Sequence, residues 1–179
     1  MKKISILFIL ILLPLFSNAQ NYFDSLEDQD GVSSVIVSAN MFNLMSKIDV
    51  NTKDQEAKDF LKLIKSITNL KVFVAKNKAK ATQMEKMVNS YLKKTNLQEL
   101  MRVKDDGTNV KFFIKEGSTP DKVAELLMFV KGTDAVVNGK KVETVLLSLT
   151  GDFDLKQVSK LTKKMNIPGG EHLKEAKKQ

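Results

Sequence analysis

The sequence predicts an α+β fold, with helices and strands interleaved in the first half and strands following one another in the second. Three observations carry that prediction. Two stretches place apolar residues at helical spacing: Ala57, Phe60, Leu61, Ile64 and Ile67 in one, and Met84, Met87, Val88, Tyr91 and Leu92 in the other. Around them lie β-branched or alternating runs, Val35-Ile36-Val37 and Leu70 to Ala75. Beyond residue 98 the apolar runs are separated by turn dipeptides, Asp106-Gly107 and Asn138-Gly139, whose residues tolerate positive φ.

The elements follow in order. Residues 20–31, QNYFDSLEDQDG, are acidic and aperiodic and read as a lead-in. Val35 to Val37 is a continuous β-branched run, the pattern of a strand covered on both faces. Met41, Leu44, Met45 and Ile48 then share one side of a short helix and should face inward. Thr52 and Gln55 form a capping box for the first long helix. The 69–77 segment alternates into a strand, and residues 79–94 form the second long helix. "ELMRV" and "NVKFFIKE" then flank a Lys104-Asp105-Asp106-Gly107 hairpin turn. The segment "STPDKVAELLMFVKG" carries two readings. Ser118 or Thr119 before Pro120, with Val123, Leu126, Leu127 and Val130, fits a helix, while the run "ELLMFV" fits a buried strand. "KVETVLLSLTG" is a strand, and "DFDLKQVSKLTKKM" reads as a closing helix capped by Asp154, with Leu155, Val158, Leu161 and Met165 inward.

The start of the chain gives an address. Lys2 and Lys3, an apolar run from Ile4 to Phe16, and small residues at Ser17 and Ala19 form a secretory signal, with cleavage expected between Ala19 and Gln20. The run falls short of the roughly 20 residues that span a bilayer, and Pro14 interrupts it. No cysteine follows it, so an exported protein without a lipid anchor is expected, periplasmic or secreted, and its stability must come without disulfides. The expected division is a signal peptide at 1–19, the acidic lead-in at 20–31, one α+β domain at 32–165 and a basic flexible tail at 166–179.

Several ordered strings, "FDSLEDQDGVSSV", "VSANMFNLM", "LMRVKDDGTNVKFFIKE", "VAELLMFVKG" and "VLLSLTGDFDL", resemble the exported Bacteroidota family catalogued as domain of unknown function 4252. The resemblance covers roughly residues 22 to 165. It implies a cell-envelope protein of no established activity, and it implies that "ELLMFV" is a strand. The expectation becomes a single domain with a mixed sheet, a four-strand antiparallel meander in the second half, and amphipathic helices packed on one face. The family carries no catalytic motif, so it assigns no functional residue.

Composition narrows the chemistry. Without cysteine, and with His172 alone in the basic tail, cysteine or Ser-His nucleophiles and His/Cys zinc sites are out of reach. Asp152 and Asp154 are spaced like a fragment of a calcium loop, but a helix cap at Asp154 and a turn at Asp105-Asp106 account for these carboxylates rather than a calcium cage. The pairs Met41/Met45 and Met84/Met87 sit inside apolar stripes as core fillers rather than as a copper site. No catalytic residue, metal or cofactor is expected. A hydrolase using Asp and Glu alone is the enzymatic alternative.

Charge is the remaining signal. The chain carries a formal +8, concentrated where residues 69–98 hold seven Lys against one acid and residues 155–179 seven Lys against two. Lys76, Lys78, Lys80, Lys93, Lys94, Lys163 and Lys164 are the candidate anion-binding residues. Arg102 is the only arginine and the lysine runs lack interleaved aromatics, which argues against nucleic acid. The expected function is non-catalytic binding of an envelope protein, with anionic lipid or envelope polymer as the alternative partner.

Overall fold

The computed structural model describes residues 22–47, 55–105, 107–132, 136–137 and 140–154. A 3-10 turn at Asp24–Leu26 leads into β1 (Val32–Val37), α1 (Ala39–Ser46), α2 (Gln55–Ser66) and β2 (Ile67–Ala75). Then come α3 (Lys78–Lys94), β3 (Gln98–Asp105), β4 (Thr108–Glu116), β5 (Lys122–Lys131), the short β6 (Val136–Val137) and β7 (Lys140–Lys141), and β8 (Thr144–Asp154). The main sheet runs β1-β2-β8-β5-β4-β3, and β6 pairs with β7.

Burial explains that order. In β2, β5 and β8 both alternating sets of side chains are largely apolar, so each strand must be covered above and below, and all three sit inside the sheet. Leu70, Val72, Leu126, Met128, Leu147 and Leu149 point to one face, where Phe42 of α1 and Leu63 and Ile64 of α2 pack. Phe73, Ala75, Leu127, Phe129 and Leu146 point to the other, beneath Met84, Val88 and Tyr91 of α3 and Phe23 and Leu26 of the lead-in. The single sheet therefore separates two cores.

The α+β class and the meander match this arrangement: β3, β4, β5 and β8 pair in succession, and "ELLMFV" lies in β5. Gly107 adopts φ +83 in the β3–β4 turn, the conformation for which glycine is suited there.

Several details differ from the sequence reading. Every ladder among the described residues is antiparallel, so the sheet is not mixed. The helices lie on both faces rather than one, because β2, β5 and β8 present two apolar faces. β1 is an edge strand, not a doubly covered one, and Val35 is 54% exposed. In α1 the inward residue is Phe42; Met45 is half-buried, while Met41 and Leu44 are 51% and 62% exposed. The buried side of α1 lies one position on from the Met41 spacing, since Phe42 outweighs Met41 in apolar area. In α2 Leu63 is buried with Ile64, Leu61 is half-buried, and Ile67 already opens β2. β8 runs through Phe153 and Asp154, past Gly151 where the strand was expected to end. Thr52, Asp106, Asn138-Gly139, His172 and the closing helix lie outside the described residues.

Candidate functional site

Helix α3 is built to be wet on one side. The Asn77 side chain accepts from the Lys80 backbone N–H at 2.9 Å and caps the first turn, a signal the sequence reading passed over. With Met84, Val88 and Tyr91 turned into the core, steps of four, four, three and four residues place Lys78, Thr82, Lys86, Asn89 and Lys93 on the outer face, and all five are exposed. Glu85 is the helix's one acid, and Lys131 Nζ donates to both of its oxygens at 2.7 Å. The outer stripe is left cationic, without a carboxylate among its members.

The lysines expected to bind anions are not gathered at one point. Lys76, Lys78 and Lys80 lie at the start of α3 and Lys93 and Lys94 at its end, so Lys78 and Lys93 are about 22 Å apart at 1.5 Å per residue. Lys86 bridges that gap. Lys80 is half-buried and donates to Gln29 Oε1 at 2.9 Å, and Lys94 Nζ stands 5.5 Å over the Tyr22 ring. Lys163 and Lys164 lie outside the described residues. Lys71, counted with the basic field in the sequence, is 7% exposed and ion-paired with Asp24, so it adds nothing to the outer surface.

Beneath α3 the second core holds polar groups that the sequence reading assigned no role. Glu125 is 6% exposed and accepts from the Tyr91 hydroxyl at 2.8 Å. Burial pushes the Glu125 carboxyl above its ordinary range, an effect opposed by the Tyr91 hydrogen bond and by Lys115. Burial, reinforced by the Glu125 charge, also raises the Tyr91 hydroxyl, which stays protonated. Tyr91 is held from the side by Tyr22 and Phe23, with ring centroids 5.0 and 4.9 Å away. In the same sheet rows Asn69 faces Thr150 and Thr150 faces Glu125, and the Asn69 Oδ1 is buried without a hydrogen bond. The clue in the sequence was period two: once residues 122–131 are a strand, Glu125 falls on the same face as Leu127 and Phe129.

A hydrolytic pair would need two facing carboxyls, and the partner of Glu125 is a phenol. Asp152, on the exposed side of β8, accepts from the Ser118 backbone N–H at 2.9 Å and from its hydroxyl at 2.7 Å, and these bonds hold it below the ordinary carboxylate range. Among the described residues no group of three or more His, Cys, Asp or Glu converges as a metal site. Asp152 anchors the loop before β5.

The two carboxyls make opposite contributions to acid stability. Between the ordinary carboxylate value and its raised one, Glu125 keeps its proton in the folded chain and loses it in the unfolded one, so its contribution falls as pH rises from about 4.5. Asp152 contributes above its ordinary value and loses that contribution as pH falls through its lowered one. Glu125→Gln should therefore gain stability over wild type as pH rises from 4.5 toward neutrality, with the two converging in acid. Denaturant midpoints measured across pH check this, and parallel profiles would refute it.

A single antiparallel sheet sandwiched between α1 and α2 on one face and α3 with the lead-in on the other defines a three-layer α+β domain with a basic helix outermost. The chain belongs to the family described as domain of unknown function (DUF4252), whose model matches residues 22–161. The match begins at Tyr22, the first residue of the aromatic group on Tyr91. Neither a curated protein nor a solved structure matches the chain.

Proposed function

We propose that this is an exported protein of the cell envelope that works by binding, and that the outer face of α3 is its surface for a polyanion. The observation that carries the reading is the stripe Lys78-Lys86-Lys93, exposed along the whole helix with no carboxylate among its members, while the helix's one acid, Glu85, is ion-paired with Lys131. The chain spends positive charge where local physics opposes it. Lys78 and Lys80 stand at the positive end of the helix dipole, with no acid in the first turn, so helix stability does not account for them. The signal-like first twenty residues support export. Among the described residues no helix is long and apolar enough to cross a membrane.

Such a surface gains up to about 1 kcal/mol for each well-placed lysine at an anionic bilayer. Neutralising three, as K78Q/K86Q/K93Q, should weaken binding to phosphatidylglycerol vesicles by up to about 100-fold. Wild-type binding should also fall steeply as salt rises to physiological strength. A parallel titration with inorganic polyphosphate separates a polymer partner from a lipid one. Binding that ignores both the substitutions and the salt would overturn the proposal.

A further inference from the structure

The open edge of β1 is built to pair with itself, and we propose that the protein forms a two-fold dimer through antiparallel β1–β1 pairing, with Val35 at the axis. Among the described residues no strand pairs with the outer side of β1. The opposite edge, β3, is guarded by Glu99, Arg102, Lys104 and a bulge between Glu99 and Met101, the usual devices against edge pairing. β1, with sequence VSSVIV, has no charge, no proline and no bulge.

The hydrogen bonds select the register. Lys76 N–H donates to Gly31 C=O at 3.0 Å, one step beyond the Val32–Ala75 pair, so Ser33, Val35 and Val37 turn their main-chain groups toward β2. Val32, Ser34 and Ile36 turn theirs outward. The Val32 N–H is already donated to Gln29 C=O at 3.1 Å, which, among the described residues, leaves the Val32 C=O and the N–H and C=O of Ser34 and of Ile36 open. Setting Val35 opposite the partner's Val35 pairs Ser34 with the partner's Ile36 and the reverse, and the N–H and C=O of both residues are satisfied on each chain. Of the two neighbouring same-face registers, Ser34 opposite the partner's Ser34 would need the Val32 N–H that is already used, and Ile36 opposite the partner's Ile36 would need the Ser38 C=O, which already accepts from the Phe42 N–H at 3.2 Å.

Charge supports a second copy in this orientation. Asp24, Glu27, Asp28 and Asp30 precede β1, whereas from β1 through the end of α1 the chain has no acid and then Lys47. Antiparallel pairing sets the acidic start of one strand beside the acid-free end of the other; parallel pairing would set acid against acid. The pairing covers Val35, 54% exposed, whose side chain is on the α1 face of the sheet where Met41 and Leu44 are also uncovered.

A two-fold axis normal to a continuous sheet keeps like faces on the same side. Both α3 helices then face one way, and an anionic surface meets two lysine stripes at once. This last step rests on the reading of α3 above; the dimer does not.

The test is sedimentation of the mature chain. Wild type should sediment with twice the mass of one chain at micromolar concentration. V35K and V35E should each be monomeric, since like charges would face each other across the axis, while both keep the wild-type circular dichroism because the position is exposed. Mixed in equal amounts, the two variants should regain the dimer. A monomeric wild type at any accessible concentration, or variants that dimerise as wild type does, would overturn the proposal. Sedimentation uses no anion, so failure of the dimer and failure of the α3 surface are read separately.

Discussion

Tyr91→Ala should be the most destabilising of the single changes considered, lowering stability by about 5 kcal/mol, a large part of the 5–15 kcal/mol that a domain of this size holds. Two losses combine. Removing a fully buried ring costs about 3–5 kcal/mol, and this ring packs at a tilt against Tyr22 and Phe23 and so fastens the lead-in to α3. The Glu125 carboxyl, 6% exposed, is also left without its donor, which costs about 1–3 kcal/mol. Tyr91→Phe separates the two, because it keeps the ring and strands only the carboxyl. Urea denaturation of both variants checks the order: Tyr91→Phe should lose about 1–3 kcal/mol and Tyr91→Ala clearly more. If Tyr91→Phe matched wild type, the hydrogen bond would be contributing nothing.

Gly151→Ala should cost about 3 kcal/mol, the upper end for inserting one methyl into a packed site. Residues α2 and β2 join without a loop at Ser66 and Ile67, and β8 crosses that joint. A Cβ on Gly151 would lie 2.1 Å from the Ser66 carbonyl oxygen and 2.9 Å from the Ile67 Cα. Both obstacles are backbone, so no rotamer change relieves them and β8 must separate from the α2–β2 joint. Gly107→Ala is the control: its Cβ meets nothing within 4 Å, and only the left-handed φ of +83 is penalised, about 1 kcal/mol. Thermal melts should rank Gly107→Ala well above Gly151→Ala. Equal melting points would show that β8 yields freely at this crossing.

The two substitutions mark where sequence reading reached its limit. Tyr91 was legible as an inward residue of α3, since its spacing from Met84 and Val88 repeats the helical period. Its partner was not, because Glu125 is 34 residues away and no local pattern pairs a helix tyrosine with a strand glutamate. Gly151 read as the end of a strand, because glycine often ends one; the close approach of Ser66 that requires glycine there comes from the far side of the chain. The lysine stripe was half legible. The run of charge was plain, but Lys71 could be told from its neighbours only once β2 placed it under the lead-in beside Asp24.

By itself the sequence determined the α+β class, the presence of α2 and the inward stripe of α3, the β3–β4 hairpin and the family to which the chain belongs, because each is written in periods of two or 3.6 residues or in short strings. Only the tertiary structure decided that β8 enters between β2 and β5, that helices cover both faces, that β1 is left at the edge with Val35 uncovered, and that Glu125 meets Tyr91. Local periodicity states which side of an element is apolar. Which neighbour covers that side depends on contacts between residues far apart in the chain, and those are settled only when all the apolar faces compete for burial together.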